Sequence, residues 1–184
     1  DMLPPEKLAL DYIDPEKGVE SVEDALAGAG DILAERISDD AALRKRLREL
    51  TAQQAVLRSK AAKEEDSVYR LYYDFTQPVS RLQSHQVALN RGEREGWLRI
   101  SVDMDEELAV QTIRRAVVTS GTPAMAFLGA VCADSYDRLL APSLERELRG
   151  TLTDTAAESA IHNFALNLRP LLMQPPVKGH VTMG

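Results

Sequence analysis

Two groups of side chains in this chain are of types that could act on a polyanion. Residues 41–63 carry seven bases, Arg44, Lys45, Arg46, Arg48, Arg58, Lys60 and Lys63, against Glu49 alone. That is a local +6 in a chain of net charge −7, leaving −13 elsewhere. Cations gathered in this way could neutralise phosphates and release counterions, giving a salt-dependent affinity. Residues 69–99 interleave Tyr72, Tyr73 and Trp97 with Arg91, Arg94 and Arg99, a mixture that could stack exposed bases. The candidate nucleic-acid contacts are Arg44, Arg46, Arg48, Arg58, Lys60, Lys63, Arg91 and Arg94. Plainer readings stand beside these. Bases opposite leucines on a helix form a solvated face, and Tyr69, Tyr72 and Tyr73 at helical spacing can simply pack.

Other chemistry finds little support. The three histidines, His85, His162 and His180, have no His-Glu-x-x-His or paired Cys/His spacing that would hold zinc. Asp103, Asp105, Glu106 and Glu107 lack the glycine and distal glutamate of a calcium loop, and suit a helix N-terminus instead. Ser84-His85 has no nucleophile elbow, and no Gly-Lys-Ser/Thr phosphate loop occurs. Gly28 and Gly30 have no preceding strand and no third glycine, so a dinucleotide turn is disfavoured over close helix packing. The sequence predicts no catalytic residue, no metal, no cofactor and no enzymatic activity.

The elements that must position these groups are mostly helical. The chain has 184 residues, 44% hydrophobic and 28% charged, an ordinary globular composition. No apolar run approaches a membrane span, and no secretory leader is visible. Cys132, the single cysteine, reads as buried and inert. These features suggest a cytoplasmic protein. A start at Asp1 and a stop just as an apolar run begins suggest a piece of something larger.

A short helix or turn and a loop fill residues 1–18. Ser21 and Asp24 have capping-box spacing and open a helix with Val22, Ala25, Leu26, Ala29, Leu33 and Ile37 on one face. Ser38 and Asp39 can cap a second, with Leu43, Leu47 and Leu50 inside. Residues 55–60 read as extended. Glu64 to Tyr73 reads as helix, broken by Pro78. Another short helix runs from Ser80 to about Leu89 and is stopped by Asn90-Arg91-Gly92, with Gly92 suited to a left-handed cap. Leu98, Ile100 and Val102 alternate with Arg99, Ser101 and Asp103 as a half-buried strand does. A lone strand needs a partner for its backbone groups, which gives one small two-stranded β element pairing about 55–61 with 97–103.

From Asp103 onward the pattern is helical. Asp103 with Glu106 has capping-box spacing, and Gly121 ends the helix that follows. Thr122-Pro123 suits a new helix start, with Thr as cap. Pro142 should kink or break that helix. Thr151 with Asp154 suits the start of a last helix with Ala157, Ala160, Ile161, Phe164, Leu168 and Leu172 on one face, disturbed by Pro170 and ended by Pro175-Pro176. The fold class is therefore mainly α, a multi-helix scaffold.

Several stretches together resemble the Tex family of transcription accessory proteins. They include Asp14-Pro15-Glu16-Lys17-Gly18-Val19, Leu57-Arg58-Ser59-Lys60, Tyr72-Tyr73-Asp74-Phe75 and Ser84-His85. Asn90-Arg91-Gly92-Glu93-Arg94-Glu95-Gly96, Leu144-Glu145-Arg146-Glu147-Leu148-Arg149 and Asn167-Leu168-Arg169 continue the series. Each is weak alone; their common order makes the match specific. Gln86 stands where the family pattern usually has Arg, and the spacing from His85 to Asn90 is one residue shorter than expected.

The resemblance implies a larger protein with helix-turn-helix-like regions, a ribonuclease-H-like domain, helix-hairpin-helix repeats and an S1 RNA-binding domain. It also implies a relation to a eukaryotic elongation factor that acts as a histone chaperone. On this basis 1–104 is a helical region with the β element, 105–176 a helical bundle, and 177–184 the start of the ribonuclease-H-like part. The expected role is a non-enzymatic scaffold that supports transcription and binds nucleic acid, RNA or DNA, weakly by itself, with no membrane association. RNA polymerase or other transcription factors are expected partners. Two alternatives remain, a protein-docking scaffold for transcription machinery and a nuclease fragment.

Overall fold

The computed structural model describes residues 3–82 and 85–173. Ser84, the Pro175-Pro176 stop, His180 and the 177–184 segment lie outside the described residues. Over the described residues the protein is mainly α with one small antiparallel sheet.

α1 (Pro5–Ala9) and two 3₁₀ turns lead into α2 (Val22–Asp39), which opens on the expected capping box. Asp24 N–H donates to Ser21 Oγ at 3.1 Å, and Ser21 N–H donates back to Asp24 Oδ2 at 3.1 Å. α3 (Ala41–Gln54) is capped by Asp40 rather than by Ser38 or Asp39, with Leu43 N–H donating to Asp40 Oδ1 at 2.8 Å. Ser38 lies inside α2, and its hydroxyl donates to Glu35 O. Leu43, Leu47 and Thr51 form the buried stripe of α3.

β1 (Val56–Ala61) is the centre of the sheet. It pairs with β3 (Leu98–Asp103), as the alternation requires, and also with β2 (Asp74–Pro78), giving the order β2-β1-β3. The element therefore has three strands, not two. β2 comes from a segment whose neighbours suggested helix. The stretch from Glu64 to Tyr73 contains only a 3₁₀ turn at Arg70–Tyr72. Pro78 is tolerated because it closes an edge strand.

α4 (Gln86–Arg94) runs through Asn90-Arg91-Gly92 instead of stopping there, and Gly96, at φ +74°, makes the left-handed turn. α5 (Glu106–Val117) is capped by Asp105, not Asp103. α6 (Met125–Asp134) begins without a side-chain cap, and the Thr122 hydroxyl donates to Thr119 O. A π-helical segment, Ser135–Leu140, then leads directly into α7 (Ala141–Leu172). Pro142 therefore does not break the helix. The extra residue of the π turn sits just ahead of it, where the i→i−5 bond from Ala141 N–H to Tyr136 O resets the register. Thr151 and Asp154 start no new helix, because α7 passes through Gly150 and the Thr151 hydroxyl donates to Glu147 O.

Two apolar cores result. Ala34, Ile37, Leu43, Leu47, Ile113, Cys132 and Leu140 join α2, α3, α5, α6 and the π segment. Leu57, Tyr69, Leu82, Leu89 and Leu98 join the sheet to α4. α7 serves both, with Leu144 in the first core and Leu148 and Leu152 against the second.

Candidate nucleic-acid interface

Alternation along β1 buries Leu57 and Ser59 and turns Arg58 and Lys60 to solvent. The antiparallel register places Lys60 across from Arg99 on β3 and Asp74 on β2, and Arg58 across from Ser101 and Thr76. The outer face thus carries Arg58, Lys60 and Arg99 flanked by two hydroxyls. Asp74 and Asp103 occupy opposite corners. Arg58 Nε pairs with Asp103 Oδ2 at 2.5 Å, with both side chains about half exposed. Lys63, just past the end of β1, holds its Nζ 4.5 Å from the Trp97 ring centroid. Among the described residues no ion pair engages Lys60, Lys63 or Arg99. Directly opposed side chains in an antiparallel pair have Cβ atoms about 5 Å apart, and like charges so placed destabilise the sheet. An anion lying across them reverses that sign.

The other nominated bases lie elsewhere. Arg44 and Arg48 of α3 both pair with Glu147 of α7. Arg44 also donates to Ser38 O at 3.1 Å and to Ser143 Oγ at 2.6 Å, so it ties three elements together. The hydrogen bond from Arg44 holds the Glu147 carboxyl below the ordinary glutamate range, against its partial desolvation, with Arg48 adding charge. Arg46 lines a separate cleft with Arg36 and Asp40. On α4, Arg91 Nε donates to Glu95 Oε1 at 2.8 Å, and the Tyr69 hydroxyl donates to Glu95 Oε2 at 2.9 Å. Those two bonds, Arg91 first, hold Glu95 below its usual range. Burial, with Glu95 beside it, raises the Tyr69 phenol. Arg94 is exposed.

The structure therefore brings together Arg58, Lys60 and Lys63 from the nominated set and leaves Arg44, Arg46, Arg48, Arg91 and Arg94 on other surfaces. It adds Arg99 and Ser101, which the sequence places on the outward side of the 97–103 strand but not among the candidate contacts, and Thr76, which the sequence does not single out. Outward alternation along 97–103 was the available signal for Arg99 and Ser101. Thr76 could be found only by recognising β2.

The aromatic residues serve packing. Tyr69, Tyr72, Tyr73, Phe75 and Trp97 all belong to or pack against the second core. Tyr72 meets Phe75 edge-on at 5.3 Å between ring centroids, and both rings border His85. The Tyr72 hydroxyl lies 3.3 Å from His85 Nδ1. The outer sheet face offers guanidinium, ammonium and hydroxyl groups, which suit phosphate and sugar contacts rather than base stacking. Among the described residues no group of three or more His, Cys, Asp or Glu side chains is placed to hold a metal ion.

Known proteins supply the context for this arrangement. The chain is 37% identical to YdcI of Bacillus subtilis over 94% of its length, covering 25% of that protein. It is 34% identical to the protein tex of Bordetella pertussis over 98% of its length, covering 25% of that protein. It is 31% identical to the human S1 RNA-binding domain-containing protein 1 over 98% of its length, covering 20% of that protein. The chain thus spans about a quarter of the length of the bacterial relatives. The family model described as Tex central region-like matches residues 1–164. A match over most of the chain, shared by relatives from bacteria to human, establishes that the chain belongs to the Tex central region-like family.

Proposed function

We propose that this chain is a non-enzymatic helical scaffold of a cytoplasmic transcription accessory protein. In this reading the outer sheet face makes weak, salt-dependent contacts with a nucleic-acid backbone. The observation that carries it is the opposition of Lys60 and Arg99, with Arg58 and Lys63 alongside. The names of the relatives, a tex protein and an S1 RNA-binding domain-containing protein, support a nucleic-acid setting. Tighter binding belongs, in this reading, to the parts of such proteins that this chain does not span.

The test is a titration of single-stranded RNA and DNA against the chain at two salt concentrations. Four phosphate contacts give a log–log slope of about −3, so affinity falls roughly fifty-fold between about 50 and about 200 mM salt. Tight binding indifferent to salt overturns the proposal.

A second reading, a docking scaffold for RNA polymerase or other transcription factors, draws on the far half of α7. Ile161, Phe164 and Leu172 are 69%, 66% and 74% exposed there. Under that reading, charge reversal at Arg58 and Lys60 leaves nucleic-acid affinity unchanged.

A further inference from the structure

A cleft of about 560 Å³ lies between α1, α2 and α6. α1 contributes Leu8, the following turn Tyr12, α2 Ala25, Gly28 and Ile32, and α6 Phe127. Leu8, Tyr12 and Ile32 are 49%, 74% and 62% exposed although they line it. Among the described residues, Asp24 is the one charged residue in the lining. The volume lies within the range of real binding pockets, roughly 300–1,000 Å³, and contiguous exposed apolar surface of this kind marks an interaction site.

The surroundings of the cleft specify its occupant. Residues 3–35 hold nine carboxylates and two lysines, a net −7 that equals the formal charge of the whole chain. One of those lysines, Lys17, is paired with Asp14, and Asp31 is paired with Arg138 of the π segment. We infer that this cleft docks an amphipathic helix of a partner protein, whose apolar face enters the groove and whose flanks are rich in lysine or arginine. Helix-in-groove recognition needs a preformed apolar trough, and the exposed carboxylates of the segment that forms α1 and α2 favour a basic partner. The same charge repels nucleic acid, so this surface is distinct from the sheet face.

Gly28 fits the inference. A Cβ built there meets nothing within 4 Å, whereas at Gly30 it would touch Val131 Cγ2 at 3.6 Å. Packing within the chain does not account for Gly28. Glycine inside a helix weakens it relative to alanine. An occupant lying close over the α2 backbone is the arrangement that uses the missing side chain.

The experiment is fluorescence anisotropy with two labelled peptides, one placing leucine and lysine at helical spacing and the other leucine and glutamate. The lysine peptide binds, and the glutamate peptide binds at least about tenfold more weakly. Gly28→Leu fills the open space, keeps or raises the melting temperature, and weakens the lysine peptide about tenfold or more. Ile32→Gln, a change at an exposed position, acts in the same direction and guards against a folding defect in the first variant. Equal affinity for both peptides overturns the inference, as does unchanged binding by both variants. A dimer in sedimentation that Gly28→Leu dissolves also overturns it, by identifying a second copy of the chain as the occupant.

Discussion

Gly92 lies so close to Leu98 that a methyl group on residue 92 would sit 2.5 Å from Leu98 Cδ1 and 2.9 Å from its Cγ. Tyr69 Cδ1 would be 3.1 Å away on another side. Leu98 and Tyr69 are 2% and 5% exposed, so neither can swing into solvent. Gly92→Ala therefore overpacks the second core. We expect a loss of about 1–3 kcal/mol, reduced by up to about 1 kcal/mol because alanine favours the helix. Urea denaturation measures it. Combining Gly92→Ala with Leu98→Ala should cost less than the sum of the two single losses, a non-additivity that contact between the two residues requires.

Glu147 receives Arg44 and Arg48 across the α3–α7 seam. Its native pKa is depressed, so its contribution is fully present above the ordinary glutamate value of about 4.3. It is lost as pH falls through the lower native value. Glu147→Gln should lower stability near neutral pH by about 1 kcal/mol, the scale of a partly exposed pair. It should also flatten the acid limb, so the two proteins converge only once pH falls below that lowered native value. Thermal melts across pH would show this. Parallel curves would mean that Glu147 acts through packing alone.

Much of the architecture is legible because local signals and packing agree. The Ser21–Asp24 box opens a helix in both sequence and structure, and the alternation of Leu98, Ile100 and Val102 correctly requires pairing with 55–61. Ambiguity enters where one residue pattern serves two conformations. Tyr69, Tyr72 and Tyr73 satisfy helical spacing, yet they belong to a 3₁₀ turn before β2. A glycine after Asn90-Arg91 signals that a Cβ is unwelcome, but not whether φ or a neighbour forbids it. At Gly92 the reason is Leu98, six residues later. Gly150, Thr151 and Asp154 look like a stop and restart, but Leu148 and Leu152 pack on the second core and carry α7 through. The candidate interface shows the same limit. The cations are visible as charge, but Arg44 is occupied by a residue 103 positions away, which no local pattern reveals.

Cys132 is fully buried among the first-core side chains, and burial pushes its thiol above the usual range despite the opposing charge of Arg114. Thiolate is the reactive form. The native protein should therefore react with a thiol reagent only through unfolding, its rate rising in step with the unfolded fraction in urea. Fast stoichiometric labelling in buffer alone would contradict the packing around Cys132.

Lys60 and Arg99 give the prediction that best separates binding from structure. Two like charges are held opposite each other near one end of the outer face, with Arg58 two residues back along β1 and Lys63 just past its end. Replacing Arg99 by Glu converts a repulsive cross-strand pair into an attractive one. The sheet should gain about 0.2–1 kcal/mol, visible as a raised midpoint in urea. If the face contacts phosphates, the same variant must bind nucleic acid more weakly, because it removes one cation and adds a repulsive anion. The salt slope should also become shallower by about 1 in magnitude. Stability and affinity then move in opposite directions. A purely structural pair predicts the first change without the second. Lys60→Glu should behave alike for affinity, although it now also faces Asp74, so its gain in stability should be smaller. Equal affinity and salt slope in both variants would remove the sheet face from the nucleic-acid interface.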